Sequence, residues 1–357
     1  MTQRYAMLVL PSTNRVYSAA SETLALMELQ CMNEAVLDEK LSDMRYTIIG
    51  GVNYLVFSSE SLSDTDIEYL SNLSFFYALF ALAENTVETA PTNTPASQAN
   101  LTPIGKRALD RYPDDLLTIL KFAGKTNEQF TKMLLNVSLM ASSTAKQMIN
   151  HKLSVLDPVC GRGTTLNQAL MYGYDAAGIE IDQQDFDAYE VFIKRWLKDK
   201  RYKHKANRID LNHAGKSRAH RVDIRFANDK AAYKAGDVQT IQMVQADTAR
   251  STEFYKRDSF NLIVADLPYG VKHNNKSLDK QTRSPLALLE QALPSWLQLL
   301  QHGGAIGIAF NTYLAKKSEL LSLFESCGLT IYSPTGGADF RHRVDQAIIR
   351  DILVARR

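Results

Sequence analysis

The stretch that most constrains the fold is Val155 to Thr165, which reads VLDPVCGRGTT. The apolar run before it ends abruptly at an acidic residue and a proline, and an amphipathic segment follows the two glycines. This order predicts a buried strand, a tight turn and the first turn of a helix. A carboxylate at the end of such a strand lies at the carboxyl edge of the sheet, where open α/β folds bind ligands. The stretch therefore predicts a small-molecule site on an α/β sheet.

The spacing of the two glycines argues against two common kinds of ligand site, the dinucleotide-binding turn and the phosphate-binding Walker A loop. Gly161 and Gly163 are separated by one residue, so the turn is neither the GxGxxG of dinucleotide folds nor a Walker A loop, which ends in Gly-Lys-Ser/Thr. A phosphate cradle is therefore disfavoured. Because glycine lacks a Cβ atom, the backbone here can turn sharply and approach a ligand closely.

A second strand of this kind occurs about a hundred residues later, where an apolar run ends in Asp266, Leu267, Pro268, Tyr269 and Gly270. Together the two stretches resemble the motifs of S-adenosylmethionine-dependent methyltransferases that act on exocyclic amines. The first resembles their Asp-Pro-x-x-Gly-x-Gly-Thr turn, and the second resembles their Asp/Asn-Pro-Pro-Tyr/Phe tetrapeptide with leucine in the second position. The resemblance implies S-adenosylmethionine as the cofactor and a methyl transfer that needs no metal.

The residue types of the second motif suit this chemistry. An aromatic amine is a poor nucleophile because its lone pair is delocalised into the ring. The carboxylate of Asp266 and the carbonyl of Leu267 or Pro268 can accept its two N–H bonds, which localises the lone pair and aims it at the donor. Tyr269 offers a flat face on which a base can stack, and Pro268 stiffens the loop. These four residues are the predicted catalytic set.

The resemblance implies further cofactor contacts. Glu180, at the end of the second predicted strand, is the first choice for the ribose hydroxyls, and Asp182 is the second. Asp247 follows the third strand and is expected to bind the adenine amine, although an isolated aspartate there is more often a helix cap. The predicted cofactor-binding residues are Asp157, Pro158, Cys160, Gly161, Gly163, Thr164, Glu180, Ile181, Asp182, Ala246, Asp247, Asn127, Phe130 and Thr131. The last three belong to a helix before the first motif and could equally be core residues.

With 357 residues, the chain is long for one domain. Residues 1–85 are predicted to form a small α+β domain whose order β-α-β-β-α-β suits a ferredoxin-like module and an RNA-binding role. Residues 86–103, rich in threonine and proline, are predicted to be a linker. Residues 104–357 are the predicted methyltransferase domain, beginning with a helix over 104–123 that is interrupted near Pro113.

Strands and helices alternate after the first motif, and the chain ends on two closely spaced strands. This pattern predicts an α/β, Rossmann-like fold and matches the seven-stranded class I methyltransferase sheet, whose last strand is antiparallel to the others. A polar insertion at residues 194–234 interrupts the alternation. It carries fourteen Lys or Arg residues against four Asp, whereas the whole chain has a net charge of only +2. A nucleic-acid contact is one interpretation of this excess, and a solvated charged surface is the other.

The remaining sequence features indicate an intracellular enzyme. Three cysteines with no metal-ligand spacing favour a reducing compartment and no structural zinc. The first ten residues lack a secretory signal, and the longest apolar run is too short to span a bilayer, so a cytoplasmic location without membrane contact is expected.

The strongest resemblance is to RNA guanosine N2-methyltransferases of the THUMP-associated group. It implies RNA as the partner, tRNA in particular, and guanosine N2 as the acceptor. A DNA amine methyltransferase acting on adenine N6 or cytosine N4 is the main alternative. A protein glutamine methyltransferase and a non-catalytic nucleic-acid-binding protein with the same fold are weaker ones. An accessory subunit or a homodimer is not readable from the sequence.

Overall fold

A computed structural model describes residues 2–10, 15–85, 98–119, 122, 125–213, 217–268, 284–335, 337 and 339–357. Along the chain the strands are β1 Gln3–Val9, β2 Ser42–Ile49, β3 Val52–Ser59, β4 Phe76–Asn85, β5 Gln98–Ile104, β6 Ser154–Asp157, β7 Asp175–Glu180, β8 Lys203–His213, β9 Ser217–Ala227, β10 Gln239–Gln245, β11 Phe260–Asp266, β12 Leu300–Asn311, β13 Thr330–Ile331, β14 His342–Arg343 and β15 Ile349–Arg356. The α-helices are α1 Arg15–Val36, α2 Asp64–Ser71, α3 Asp115–Thr118, α4 Glu128–Ala141, α5 Thr164–Met171, α6 Gln183–Asp199, α7 Lys230–Ala235, α8 Pro285–Leu299 and α9 Lys317–Ser326.

The chain divides into two compact units. The small unit comprises Met1–Ala108 and Pro334–Arg343, and the large unit comprises Leu109–Ser333 and Val344–Arg357. Among the described helices, none combines the length and apolar character that a bilayer crossing requires.

The small unit is built on an antiparallel sheet of order β2-β3-β1-β4-β5. Its first four strands and two helices follow the sequence β-α-β-β-α-β, and the order β2-β3-β1-β4 is that of a ferredoxin-like module. The RNA-binding role of this unit stays a prediction.

The predicted linker over 86–103 is wrong at its carboxyl end. Gln98–Ile104 pairs with β4 as a fifth strand, and Leu101 packs against a small apolar cluster that includes Tyr54 and Leu82. A short polar strand of this kind has little periodicity of its own, so its pairing is decided by the neighbouring edge. Pro103 is tolerated because β5 lies at the edge of the described sheet.

The large unit is organised around a sheet whose strands follow the order β13-β15-β12-β11-β6-β7-β10-β9-β8. Strands β12, β11, β6, β7 and β10 run parallel, and β15 lies antiparallel between β12 and β13. The seven strands from β13 to β10 confirm the predicted Rossmann-like class I methyltransferase sheet. The remaining two, β8 and β9, form an antiparallel hairpin that extends the sheet beside β10.

The helix predicted over 104–123 is wrong. Among the described residues of that stretch, 104–119 and 122, only α3 is α-helical. Pro113 lacks an N–H donor and disfavours helical backbone at the residue before it, so the helix begins only after the proline.

The core of the large unit lies between the parallel strands and the helices on their faces. The cluster that contains α8 includes Leu156 of β6, Ile263 of β11, Ile306 of β12 and the fully buried Trp296. The indole N–H of Trp296 donates to the Thr248 hydroxyl over 2.9 Å, so its one polar atom is satisfied. The carboxyl ends of β6, β7, β10 and β11 therefore sit on a rigid base.

Candidate active site

The first loop is anchored by Asp157, the last residue of β6. Its side chain is 3% exposed and accepts the Val159 N–H over 3.1 Å and a hydrogen bond from the Thr165 side chain. Burial, with smaller contributions from the negative charges of Asp266 and Glu180, raises the pKa of this carboxyl to about 7. Three acidic side chains from β6, β7 and β11 thus lie close enough to affect one another.

The two glycines of the loop meet different surroundings. Both have left-handed backbone conformations, with φ of +50° at Gly161 and +79° at Gly163. A Cβ atom at Gly163 would lie 2.3 Å from the ring of Tyr189, whereas one at Gly161 would meet nothing within 4 Å. Gly163 is therefore required for packing of α5 against α6, and Gly161 borders open space.

Glu180 closes the loop from the end of β7. Its two carboxylate oxygens accept the Gly161 N–H over 2.8 Å and the Asp182 N–H over 2.7 Å. Burial, and next the charges of Asp185 and Asp182, raises its pKa to about 7. Because two backbone donors hold it, this carboxylate is fixed in direction and adjoins the open side of Gly161.

Cys160, a predicted cofactor residue, is buried, and its contact with the cofactor stays a prediction. The residue is 6% exposed, and its thiol packs closely on Gly178 of β7. A Cβ atom added at Gly178 would lie only 2.6 Å from the Sγ atom of Cys160. Burial raises the pKa of the thiol, so it stays protonated. The side chain of Cys160 therefore fills the core, and only its backbone belongs to the loop.

The second anchor, Asp266, ends β11, which pairs in parallel with β6. The Thr126 hydroxyl donates a hydrogen bond to its Oδ2 atom, and the Arg350 guanidinium lies 3.8 Å from the same oxygen. Arg350 is 3% exposed and stands over the ring of Phe130 at 4.3 Å from the centroid. The Thr126 hydroxyl and the buried Arg350 guanidinium thus orient the carboxylate of Asp266.

Leucine in the second position of the DLPYG motif has a structural reason. The N–H of Leu267 donates to the Ala309 carbonyl over 2.9 Å, and its side chain is fully buried. A proline there would lack this donor, so leucine keeps the strand paired for one more residue. Pro268 is exposed, and Tyr269 lies outside the described residues.

The other predicted cofactor residues are distributed around this edge. Asp182 and Asp247 act as N-caps, of α6 and of the turn Thr248–Glu253, and the Ala246 N–H donates to the Glu180 carbonyl over 3.0 Å. Ile181 is an apolar side chain that is 58% exposed beside Glu180. Pro158 is buried in the turn, and Thr164 is the half-buried first residue of α5.

The predicted residues on α4 have structural partners. Asn127 caps the helix by accepting the Phe130 N–H over 3.2 Å. Phe130 and Thr131 are buried, and Thr131 donates to the Asn127 carbonyl. Their contact with the cofactor stays a prediction.

Three site residues were not predicted: Thr126, Thr165 and Arg350. Thr165 directly follows the predicted Thr164, and Thr126 precedes the predicted Asn127, so both adjoin named positions. Arg350 could have been predicted as a site residue from one feature of the sequence, which is that a charged residue interrupts the apolar final strand at this position. Such a residue requires a buried partner.

The arrangement fits S-adenosylmethionine. The open space beside Gly161 allows close approach of a ligand, and the carboxylates of Asp157 and Asp266 suit its cationic sulfonium and ammonium groups. The contacts of Glu180 with the ribose and of Asp247 with the adenine stay predictions. The described residues contain no group of three His, Cys, Asp or Glu side chains able to hold a metal ion.

The sequence matches the model of one known protein family. The family model described as "UPF0020: RMKL-like, methyltransferase domain" matches residues 135–319, just over half of the chain. No curated protein matches the chain.

The solved structures to which the chain is similar are distant. They include a TehB-like SAM-dependent methyltransferase from Corynebacterium glutamicum at 15% identity, covering 60% of this chain and 84% of that one, with a TM-score of 0.34. TehB from Haemophilus influenzae has 11% identity, 76% and 78% coverage and a TM-score of 0.38. The magnesium protoporphyrin IX methyltransferase ChlM from Synechocystis, solved with bound SAM, has 12% identity, 68% and 90% coverage and a TM-score of 0.38.

Proposed function

The chain belongs to the UPF0020 family of RMKL-like methyltransferase domains, and we propose that it methylates an exocyclic amine of a nucleobase in RNA. As a member of this family, it is an S-adenosylmethionine-dependent methyltransferase. Guanosine N2 is the proposed acceptor, in tRNA or another structured RNA, as in the THUMP-associated group that the DLPYG motif resembles.

The observation that carries the proposal is the surroundings of Asp266. Its carboxylate is held by Thr126 and Arg350 at the end of β11, next to the strand that presents Asp157. An amine acceptor needs a fixed carboxylate near the cofactor, and Asp266 is close enough to Asp157, at the start of the cofactor loop, to affect its pKa.

The proposed chemistry is mainly positioning. The bound cofactor supplies an electrophilic methyl group. Asp266 and the carbonyl of Leu267 or Pro268 accept the two N–H bonds of the target amine, which directs its lone pair along the line of transfer. Orientation of this kind contributes on the order of 7–11 kcal/mol to lowering a barrier. Tyr269 is proposed to stack on the target base.

A nucleic acid is preferred over a protein as the substrate because of the basic insertion, and RNA is preferred over DNA because the motifs resemble those of RNA guanosine N2-methyltransferases. Fourteen cationic residues against four acidic ones, on a chain with a net charge of +2, favour a polyanionic substrate over a protein. A cytoplasmic location would give access to tRNA and ribosomal RNA.

The test is transfer of labelled methyl groups to RNA and to genomic DNA from cells that lack this gene, followed by nucleoside mass analysis. We expect N2-methylguanosine in the RNA digest. Label in N6-methyladenine or N4-methylcytosine of the DNA would replace RNA by DNA as the substrate. Tight cofactor binding without transfer to either would contradict the proposed substrate class.

A further inference from the structure

The fourteen cations of the insertion are not equivalent in the structure. Several are neutralised by carboxylates: Lys194 by Glu190, Arg208 by Asp187 and Glu190, Arg221 by Asp223, Arg195 by Asp199 and Lys200 by Asp115. Within the hairpin, Asp187 and Glu190 of α6 neutralise Arg208, so we call the face of the hairpin that carries Arg208 the neutralised face.

The opposite face of the hairpin carries the ion pair Arg221–Asp223 and, further along, two cations that are not neutralised within the described part of the chain. Lys205 of β8 and Arg225 of β9 are directly opposite each other and therefore point to the same face, whereas Arg208, three residues on from Lys205, points to the other. Within the described residues, neither Lys205 nor Arg225 forms an ion pair, and both are exposed. Like charges directly opposite each other destabilise a sheet, so this pair has no structural benefit.

Helix α7 contributes an aromatic ring to the same place. The ring of Tyr233 lies 5.8 Å from the Lys203 ammonium and 5.8 Å from the Arg225 guanidinium. Such contacts orient the cations without neutralising them. Beside them lies an open depression lined by Arg201, Tyr202, Lys203, His204, Asp229 and Lys230, in which Asp229 is occupied as the N-cap of α7. We call Lys203, Lys205, Arg225, Lys230 and Tyr233 the Tyr233 platform.

The platform lies far from the catalytic edge of the sheet, by which we mean the carboxyl ends of β6, β7 and β11 that carry Asp157, Glu180 and Asp266. Gln245, at the carboxyl end of β10, is opposite His220, whereas Arg225 is opposite Thr240. Five residues of strand separate Arg225 from His220, which corresponds to roughly 17 Å along the sheet. A ligand that touches both places must therefore be much larger than a nucleotide.

We propose that the Tyr233 platform binds the phosphate backbone of the RNA substrate at a distance from the target base. This inference rests on the proposed function and adds a docking surface to it. The unpaired, pre-oriented cations recognise the backbone and not the sequence, and the separation restricts their benefit to RNAs long enough to span it.

The test uses the full chain and the double variant Lys203→Gln/Arg225→Gln. Its matched control is Lys256→Gln/Arg257→Gln, which removes two exposed cations near the start of β11, four strands from β9 in the sheet. Equilibrium binding of a labelled RNA hairpin of about 30 nucleotides is measured against salt concentration. We expect the platform variant to bind about tenfold more weakly and to lower the salt slope by about 1.5, with the control unchanged.

Two further measurements make the outcome specific. Cofactor affinity by calorimetry should be unchanged in both variants, and binding of an RNA trinucleotide should be equally weak in all three proteins. The proposal would be overturned if the platform variant bound the RNA hairpin as tightly as the wild type, or if the platform and control variants lost the same affinity for it. It would also be overturned if a DNA duplex of the same length bound the wild type as tightly as the RNA hairpin and lost as much affinity in the platform variant. Because the hairpin need not be methylated, this result is independent of the transfer assay.

Discussion

The catalytic edge and the Tyr233 platform lie at two ends of the same sheet and use charge in opposite ways. At the edge, the carboxylates of Asp157, Glu180 and Asp266 are held by backbone N–H groups, hydroxyls and a buried arginine. On the platform, the cations are exposed and lack carboxylate partners among the described residues. Fixed, desolvated charges orient a small ligand, whereas exposed charges attract a large one and are screened by salt.

The largest expected effect is at the edge. Asp266→Ala removes the carboxylate that is proposed to accept an N–H of the target amine. We expect kcat to fall by about 10³-fold, with cofactor affinity within a few-fold of wild type. Single-turnover transfer and calorimetry measure the two quantities. Loss of cofactor binding together with activity would contradict the assigned role.

The paired variants Gly161→Ala and Gly163→Ala separate packing from binding within the edge. A methyl group at Gly163 meets Tyr189 at 2.3 Å, so we expect a loss of stability of about 2–4 kcal/mol. At Gly161 the methyl enters open space, so the strain of the backbone costs only about 1 kcal/mol. We expect Gly161→Ala instead to weaken cofactor binding by about 100-fold by occupying the ligand's space. Thermal unfolding and calorimetry on both variants test this; equal effects would remove the distinction.

The pH dependence of cofactor binding is the next effect. Burial raises the pKa values of Asp157 and Glu180 to about 7, and a cationic sulfonium nearby favours their ionised forms. Binding should therefore release protons, and the affinity for S-adenosylmethionine should rise about tenfold between pH 6 and 8. S-adenosylhomocysteine, whose sulfur is neutral, is the control and should show a smaller rise. An equal rise for both ligands would exclude charge on the sulfonium as the cause.

The same two groups contribute to the pH dependence of stability in the free protein. Their folded-state pKa values are raised above the ordinary 3.8 and 4.5, so the native state holds protons that the unfolded state has lost. Their contribution to the free energy of unfolding should therefore fall as pH rises from about 4 to 7 and level off above that. Asp157→Asn should flatten part of this slope in denaturant titrations. A slope that is unchanged in this variant would contradict the role of Asp157.

The smallest expected effect is on the neutralised face of the hairpin. Arg208 is paired with Asp187 at 2.9 Å and with Glu190 at 2.6 Å, so its charge is largely cancelled. We expect Arg208→Gln to change hairpin RNA affinity less than twofold and to cost about 0.5–1 kcal/mol of stability. An RNA-binding loss equal to that of the platform variant would show that total charge, and not its location, matters.

Local sequence patterns predicted most of the large unit. The parallel strands β6, β7, β11 and β12 contain apolar runs, and α4, α5, α6, α8 and α9 show helical spacing, so their order is readable from periodicity. Strands β8 and β9 and helix α7 lie in the segment predicted as a polar insertion, and they were not predicted. The residue types of the two motifs likewise report their chemistry, because an acidic residue directly after a buried strand must lie at the sheet edge.

The class of fold, and the edge of the sheet at which Asp157, Glu180 and Asp266 lie, follow from local sequence patterns. The pairing of β5 with the small sheet, the position of Arg350 next to Asp266 and the identity of the neutralised cations are visible only in the folded chain. The physical reason is that turn chemistry and periodicity act between neighbours in the chain. Ion pairs and strand partners depend instead on registers that join residues far apart, which no local pattern records.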